Sequence, residues 1–234
     1  MHPDNKLAAR RIYLILGVLF ITSLVASNLI FKKFFYWYPT DISLFGAKLF
    51  EISVGILPYP ITFLITDLIS EIYGKKKANE VVVGGIFASF FAMILVYTAN
   101  ALPATSWSPV QDAMFSTVFG STGIAVMASM SAYLLAQFFD IHIYHFWKNL
   151  TRGKYLWLRN NFSTFSSQFI DTFTVLFLLC SFGEISWDQF AGLLAASFIF
   201  KLLIAAIDTP FLYLGVHLFR KRFNLKVNEE INID

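Results

Sequence analysis

Between Arg11 and Lys32 the chain runs for twenty residues, Ile12 to Phe31, without one charged side chain. A helix that crosses hydrocarbon needs ~20 predominantly apolar residues at a rise of ~1.5 Å each. Runs of this kind recur at about 58–74, 81–101, 119–147, 160–182 and 189–219. In lipid the backbone must close its hydrogen bonds within a helix or a sealed barrel. Barrel strands alternate over ~10 residues, and these runs do not. The expected fold is therefore an all-α integral membrane protein with six transmembrane helices. Composition agrees, because 57% of the chain is hydrophobic and only 14% charged, against ~25% charged in soluble domains. The 27 phenylalanines suit lipid-facing helix surfaces.

Lys and Arg concentrate in the short segments between these runs. Lys6, Arg10 and Arg11, then Lys75 to Lys77, then Lys148, Arg152, Lys154 and Arg159, and finally Arg220 to Arg222 and Lys226 all fall on one side. Only Lys32, Lys33 and Lys48 fall on the other, fourteen against three. The positive-inside rule then puts both termini in the cytoplasm, which requires an even helix number. The net charge of +3 is thus topology, with no face for nucleic acid; the lipid bilayer is the first partner. The apolar run after Met1 to Arg11 is too long for a signal-peptide core and is read as a retained first helix. Residues 1–222 form a single six-helix transmembrane domain and 223–234 a cytoplasmic tail. The connecting segment from Lys32 to Leu57, with Trp37, Tyr38, Pro39 and Asp41, reads as a hairpin or re-entrant piece at the interface. A shift of 104 residues lays Asp67 on Asp171 and the first three helices on the last three, as a 3+3 inverted repeat would.

Several ionisable side chains fall inside the expected spans. Counted from the flanking cations at ~1.5 Å per residue, Asp67 lies ~12 Å in and Asp171 and Asp208 ~18 Å, while Glu71 and Asp140 are nearer the boundary. Lys201 lies two turns before Asp208 on the same helix face. Each such charge costs ~2.5–3.5 kcal/mol at the bilayer centre, so these groups face a protein interior or a wet cavity and pair there. Asp67, Glu71 and Asp208 are candidates for proton coupling or for structural ion pairs. Polar stripes extend the acidic positions, Thr164, Gln168 and Asp171 on the fifth helix and Ser129, Tyr133, Gln137 and Asp140 on the fourth. Asn28 adds an amide near the outer end of the first. Amides and carboxylates together offer planar, bidentate donors and acceptors, which suits a planar heterocycle better than a bare ion.

Other chemistry finds little support. Cys180 alone excludes disulfides and multi-cysteine metal clusters. Asp140, His142 and His145 invite a zinc reading, but Asp140 and His142 are two apart and do not share a helix face; interfacial histidines beside Trp147 are favoured, and no metal or cofactor is expected. No nucleophile elbow, phosphate loop or HExxH element occurs, so no enzyme activity is expected.

The stretch from Pro60 to Gly74, with Asp67, Glu71 and Tyr73 as its polar marks, resembles the queuosine precursor transporter (VUT) family. Three further segments resemble it in order: Tyr133 to Asp140 with Gln137, Ser167 to Thr172 with Gln168 and Asp171, and Phe200-Lys201. The resemblance spans about Ala26 to Gly215, leaving the tail beyond Arg222 as a variable end. It implies import across the cell inner membrane of deazaguanine bases, 7-cyano-7-deazaguanine (preQ0) or its aminomethyl relative (preQ1), for tRNA modification. Asp171 with Gln168 would then meet the donor edge of the base and Lys201 or Gln137 its carbonyl, with Asp140 and Asn28 completing the site. An alternative is a membrane substrate-binding subunit for another small heterocycle or vitamin, working with a separate energising module. A homodimer is compatible with either.

Overall fold

The computed structural model describes residues 3–36, 43–44, 47–48, 51–120, 123–183 and 185–233. Seven α-helices make up most of it: α1 (Pro3–Ile30), α2 (Tyr59–Ile72), α3 (Lys75–Ala101), α4 (Asp112–Phe119), α5 (Gly123–Leu150), α6 (Leu156–Ser181) and α7 (Trp187–Phe223). Between α1 and α2 lie four short strands, β1 (Phe34–Tyr36), β2 (Ser43–Leu44), β3 (Ala47–Lys48) and β4 (Glu51–Ser53). β1 pairs antiparallel with β4, setting Phe35 opposite Ile52, and β2 pairs antiparallel with β3. The expected hairpin thus exists among the described residues, while Trp37 to Asp41 lie outside them. A single 3₁₀ turn, Val54–Ile56, leads from β4 into α2.

Among the described residues, five helical segments are long and apolar enough to cross a membrane: Asp4–Ile30, Val54–Ile72, Lys75–Ala101, Leu156–Ser181 and Trp187–Phe223. α5 has comparable length, 28 residues, but carries Gln137, Asp140, His142 and His145 along its described part. Helix ends depart from the apolar runs for identifiable reasons. α1 starts at Pro3, where proline's fixed φ suits a first turn, and continues through Arg10 and Arg11. The expected fourth span, 119–147, corresponds to α5, and the separate short helix α4 precedes it. Lys75 to Lys77 are the first turn of α3 and not a loop; Lys77 pairs with Glu80 at 2.9 Å, offsetting cations at the positive end of a helix dipole.

Backbone closure between helices is tight. Gly74, at φ 86°, donates to the Ile69 carbonyl and turns α2 directly into α3. At the hairpin end Gly55 presses against α1, where a Cβ would sit 2.7 Å from the Ser27 carbonyl oxygen and 2.9 Å from the Phe31 Cα. Ser27 donates to the Gly55 carbonyl and Ser53 to that of Phe31, so the strand exit is bolted to the last turns of α1.

Beside its apolar core the bundle buries a set of polar side chains, and it turns many aromatic ones outward. α6 buries Arg159, Asn160, Ser163, Thr164, Ser167, Gln168, Asp171 and Thr172. Its opposite face exposes Phe169, Phe173 and Phe177, with successive rings stacked 5.9 and 5.8 Å apart. Phe87 and Phe91 on α3 are likewise exposed. Such an arrangement is what hydrocarbon selects, since polar groups must find partners inside. The apolar core gathers Phe20 and Leu24 of α1, Ile69 and Ile72 of α2, Val82 of α3, Tyr144 of α5 and Leu212 of α7. Residues 225–233, expected as a variable tail, lie against the bundle, with Ile231 and Ile233 buried.

Candidate functional site

Two faces with helical spacing make the site. On α5, Tyr133, Gln137, Asp140, Tyr144 and Lys148 recur every three or four residues and are all buried. On α6, Asp171, Ser167, Ser163 and Arg159 recur every fourth residue, so each chain of side chains lines one face. α5 and α6 pack against each other along their length and α2 and α7 complete the enclosure. A polar column results, leading from the hairpin end to the end that holds both termini.

A cavity of about 290 Å³ occupies its hairpin end. Its apolar wall comes from Leu24 of α1, Phe31 just beyond it, Ile56, Met93 of α3, Met130 of α5, and Val175 and Leu179 of α6. Its polar groups are Ser27, Asn28, Ser53, Ser129, Tyr133, Asp171 and Lys201. Lys201 Nζ lies 2.5 Å from Asp171 Oδ2 and donates to Thr172 Oγ1 at 3.0 Å. The pair joins α6 to α7, and the same cavity is lined by Tyr133, whose hydroxyl accepts from Gln137 Nε2 at 2.9 Å. Asn28 directs its amide to the Met130 sulfur at 3.6 Å. A mostly apolar hollow with a few convergent polar groups is the usual build of a small-molecule site. A neighbouring hollow of about 200 Å³, between α1, α3 and α4, shares Asn28, Phe31 and Met93 with it but has no charged residue among its described lining.

The column continues beneath this cavity. A narrow recess lined by Phe63, Thr164, Gln168, Lys201 and Asp208 adjoins it, so Lys201 stands in the wall between the two. Farther in, the carboxyls of Asp67 and Asp140 are in hydrogen-bond contact, with Thr164 bonding Asp67 and Ser163 bonding Asp140. Ser167 donates to Asp140 Oδ1 at 2.9 Å. Asp67 Oδ1 and Asp140 Oδ2 are buried with no donor facing them among the described residues. Ionised carboxylates only accept, so a direct bond between them forms only when one of them carries a proton.

At the terminal end the column closes on Glu71. Its Oε1 lies 2.6 Å from Arg159 Nη2, an ion pair by distance without hydrogen-bond alignment, and accepts from Arg220 Nη2 at 2.7 Å. Its Oε2 accepts from the Tyr144 hydroxyl at 3.2 Å and lies 3.7 Å from Lys148 Nζ. Lys148 in turn donates to Glu230 Oε1 at 2.8 Å. Four helices therefore meet on one carboxylate.

Of the residues singled out from sequence, Asp171, Lys201 and Asn28 line the cavity and Gln168 the adjoining recess. Gln137 stands one turn below Tyr133 and orients its hydroxyl, and Asp140 lies deeper still, against Asp67. Asp208 sits in the recess. Glu71 belongs to a separate ion cluster. Arg159 and Lys148, counted above as loop cations, are buried partners of that cluster, and the spacing that continues the stripes of α5 and α6 carried the signal. His142 is exposed and its Nδ1 lies 2.7 Å from the Phe138 carbonyl oxygen. Among the described residues no group of three His, Cys, Asp or Glu side chains could hold a metal.

The family model described as "Putative vitamin uptake transporter" matches residues 53–215. The chain belongs to this family. The matched region contains the cavity pair, the Asp67–Asp140 contact and Glu71 with Lys148 and Arg159; Arg220 and the strap of residues 225–233 lie beyond it. The transporter is 26% identical over 174 residues to the "Probable queuosine precursor transporter" of Bacillus subtilis, covering 74% of this chain and 73% of that one. It is 26% identical over 179 residues to the "Queuosine precursor transporter" of Escherichia coli, covering 74% of each. Over 213 residues it is 26% identical to the Haemophilus influenzae protein named "Probable queuosine precursor transporter", covering 87% and 85%. No solved structure matches. The family is one of transporters and not of enzymes, and the protein crosses the membrane several times.

Proposed function

We propose that the transporter imports a 7-deazaguanine base of the preQ0 or preQ1 type across the cell inner membrane, to supply tRNA modification. The carrying observation is the Asp171–Lys201 pair on the wall of an otherwise apolar cavity. A guanine-like edge offers a ring N–H and an amino group beside a carbonyl. The Asp171 carboxylate accepts from both donors and Lys201 donates to the carbonyl, so the base exchanges the two ions' mutual bond for its own and leaves neither unpaired. Tyr133 and Phe31 are the aromatic side chains of the cavity and stack on the ring, as aromatics do on unpaired bases. Gln137 fixes the Tyr133 hydroxyl, and Gln168 and Asn28 complete the polar rim.

In this reading α5 is the sixth crossing and both termini are cytoplasmic, as the Lys and Arg distribution requires. The halves α1–α3 and α5–α7 act as inverted repeats with the base between them. The proton shared by Asp67 and Asp140 is the coupling ion, passed along the column below the base. Purified protein in liposomes tests the whole: uptake of radiolabelled preQ1 without any partner protein is expected, and its absence while preQ1 binds would favour the partner-energised alternative. Failure of preQ0, preQ1 and queuine alike to bind would overturn the substrate assignment.

A further inference from the structure

Residues 225–233 have no regular secondary structure among the described residues, yet they are seated with care. The Ile231 N–H donates to the Ile72 carbonyl at 2.7 Å, satisfying a free end of α2. Arg10 Nε of α1 donates to the Ile233 carbonyl at 2.6 Å, and the Ile231 and Ile233 side chains are buried. Glu230 reaches Lys148 of α5, whose side chain is 2% exposed while that of Glu230 is 44% exposed. Two glycines with positive φ form the seat, Gly74 at 86° and Gly153 at 74°. A Cβ on Gly74 would collide with the Glu230 carboxylate, and one on Gly153 would lie 2.6 Å from the Asn228 Cβ. The strap therefore spans both halves of the molecule, touching α1 and the α2–α3 turn on one side and α5 and the α5–α6 turn on the other.

We infer that this strap is a displaceable bolt on the gate at the terminal end, holding the Glu71 cluster closed while the cavity lies toward the hairpin end. The inference rests on the transport reading, since a gate implies a path. Release of a solute at the terminal end requires α2, α5, α6 and α7 to part, and Glu71 ties all four together. Three cations surround that one carboxylate. Glu230 supplies the second anion and occupies the otherwise under-neutralised Lys148. Its water-exposed side makes it the member that solvent and salt can compete away. Loss of Glu230 leaves Lys148 drawn toward water, and the strap's two isoleucines then leave the core as a unit.

Accessibility of the gate tests this without any substrate, so a wrong substrate assignment leaves the outcome readable. Ser70, 1% exposed, accepts from Lys148 through its carbonyl. Ser70→Cys in a Cys180→Ala background, in nanodiscs, reports opening through its rate of labelling by a membrane-impermeant maleimide. The otherwise intact chain labels slowly. Glu230→Gln labels about fivefold faster, the ratio that ~1 kcal/mol of a partly exposed pair represents, Glu230→Asp falls between, and truncation after Asn224 is fastest. Raising NaCl to about 1 M, where the screening length is ~3 Å, accelerates labelling of the intact strap. If the truncated chain does not purify as a single species, Glu230→Gln and the salt response decide. Equal labelling rates in the intact and Glu230→Gln proteins overturn the bolt. So does a truncated chain that loses thermal stability but labels at the intact rate.

Discussion

The two charged centres of this bundle are built on opposite principles. At the cavity, Asp171 meets Lys201, with side chains 10% and 12% exposed and a hollow beside them. At the terminal end, Glu71 is 1% exposed and meets Arg159, Arg220 and Lys148. A carboxylate and an ammonium beside open space can trade their mutual bond for a ligand without stranding a charge. A carboxylate shared by three cations from three other helices cannot release any of them cheaply. The first is arranged for exchange and the second for holding, although both are carboxylates facing basic residues within one membrane bundle. Burial of charge is therefore not itself the mark of a binding site; the number of partners and the space beside them distinguish the two.

Removing each acid should separate these roles. Glu71→Gln strands cations in a buried setting and is expected to cost about 3–5 kcal/mol of stability, the range for breaking one side of a buried pair. Thermal unfolding in detergent measures this, and an unmoved midpoint would show that the cluster does not hold the helices. Asp171→Asn should do the reverse. Uptake of labelled preQ1 in liposomes should fall about 100-fold or more, equivalent to ~2.7 kcal/mol. Stability should fall by less than about 1 kcal/mol, because Lys201 retains Thr172 Oγ1 and access to water. Equal losses of stability in both variants would erase the distinction.

Much of this was legible in the residue pattern, and what was not has physical causes. Apolar run lengths locate the long helices because hydrocarbon thickness sets a minimum length. The ends were misplaced because a helix continues past the membrane boundary wherever its backbone can still bond, as through Arg10 and Arg11 or the Lys75 to Lys77 turn. Asp171 and Lys201 were found as intramembrane charges, and their meeting across α6 and α7 follows from the need to neutralise both. Arg159 and Lys148 were hidden by the habit of counting every cation near a helix end as topology. Their registers with Ser163 and Tyr144 place them on the buried stripes. The seating of Ile231 and Glu230 could not be read locally, since it depends on two turns more than 70 residues earlier in the chain.

Smaller changes sharpen the comparison at points between the two centres. Gly55→Ala should cost about 1–3 kcal/mol, the usual effect of overpacking, because the added methyl meets the backbone of Ser27 and Phe31 and not a movable side-chain tip. It should also narrow the cavity beside Ser53 and Ile56, so that preQ1 uptake falls alongside the thermal midpoint; a shifted midpoint with unchanged uptake would show that α1 and the strand exit only support the site.

Asp67→Asn should have the least effect on the fold. The Asp67–Asp140 contact needs one hydrogen between two acceptors, and an amide supplies that hydrogen permanently from its own nitrogen. The asparagine donates to the Asp140 carboxylate while Ser163 and Ser167 continue to hold the other side. A stability change below about 1 kcal/mol is expected, since one hydrogen bond to the Asp140 carboxylate replaces another. The functional consequence is different in kind, because a proton that can leave has been replaced by one that cannot. Uptake driven by an imposed pH gradient should lose its gradient dependence, while exchange of labelled for unlabelled base at equal pH should persist. An unaltered gradient response in Asp67→Asn would remove the carboxyl pair from the coupling path and leave it as a helix contact midway between the exchangeable pair and the Glu71 cluster.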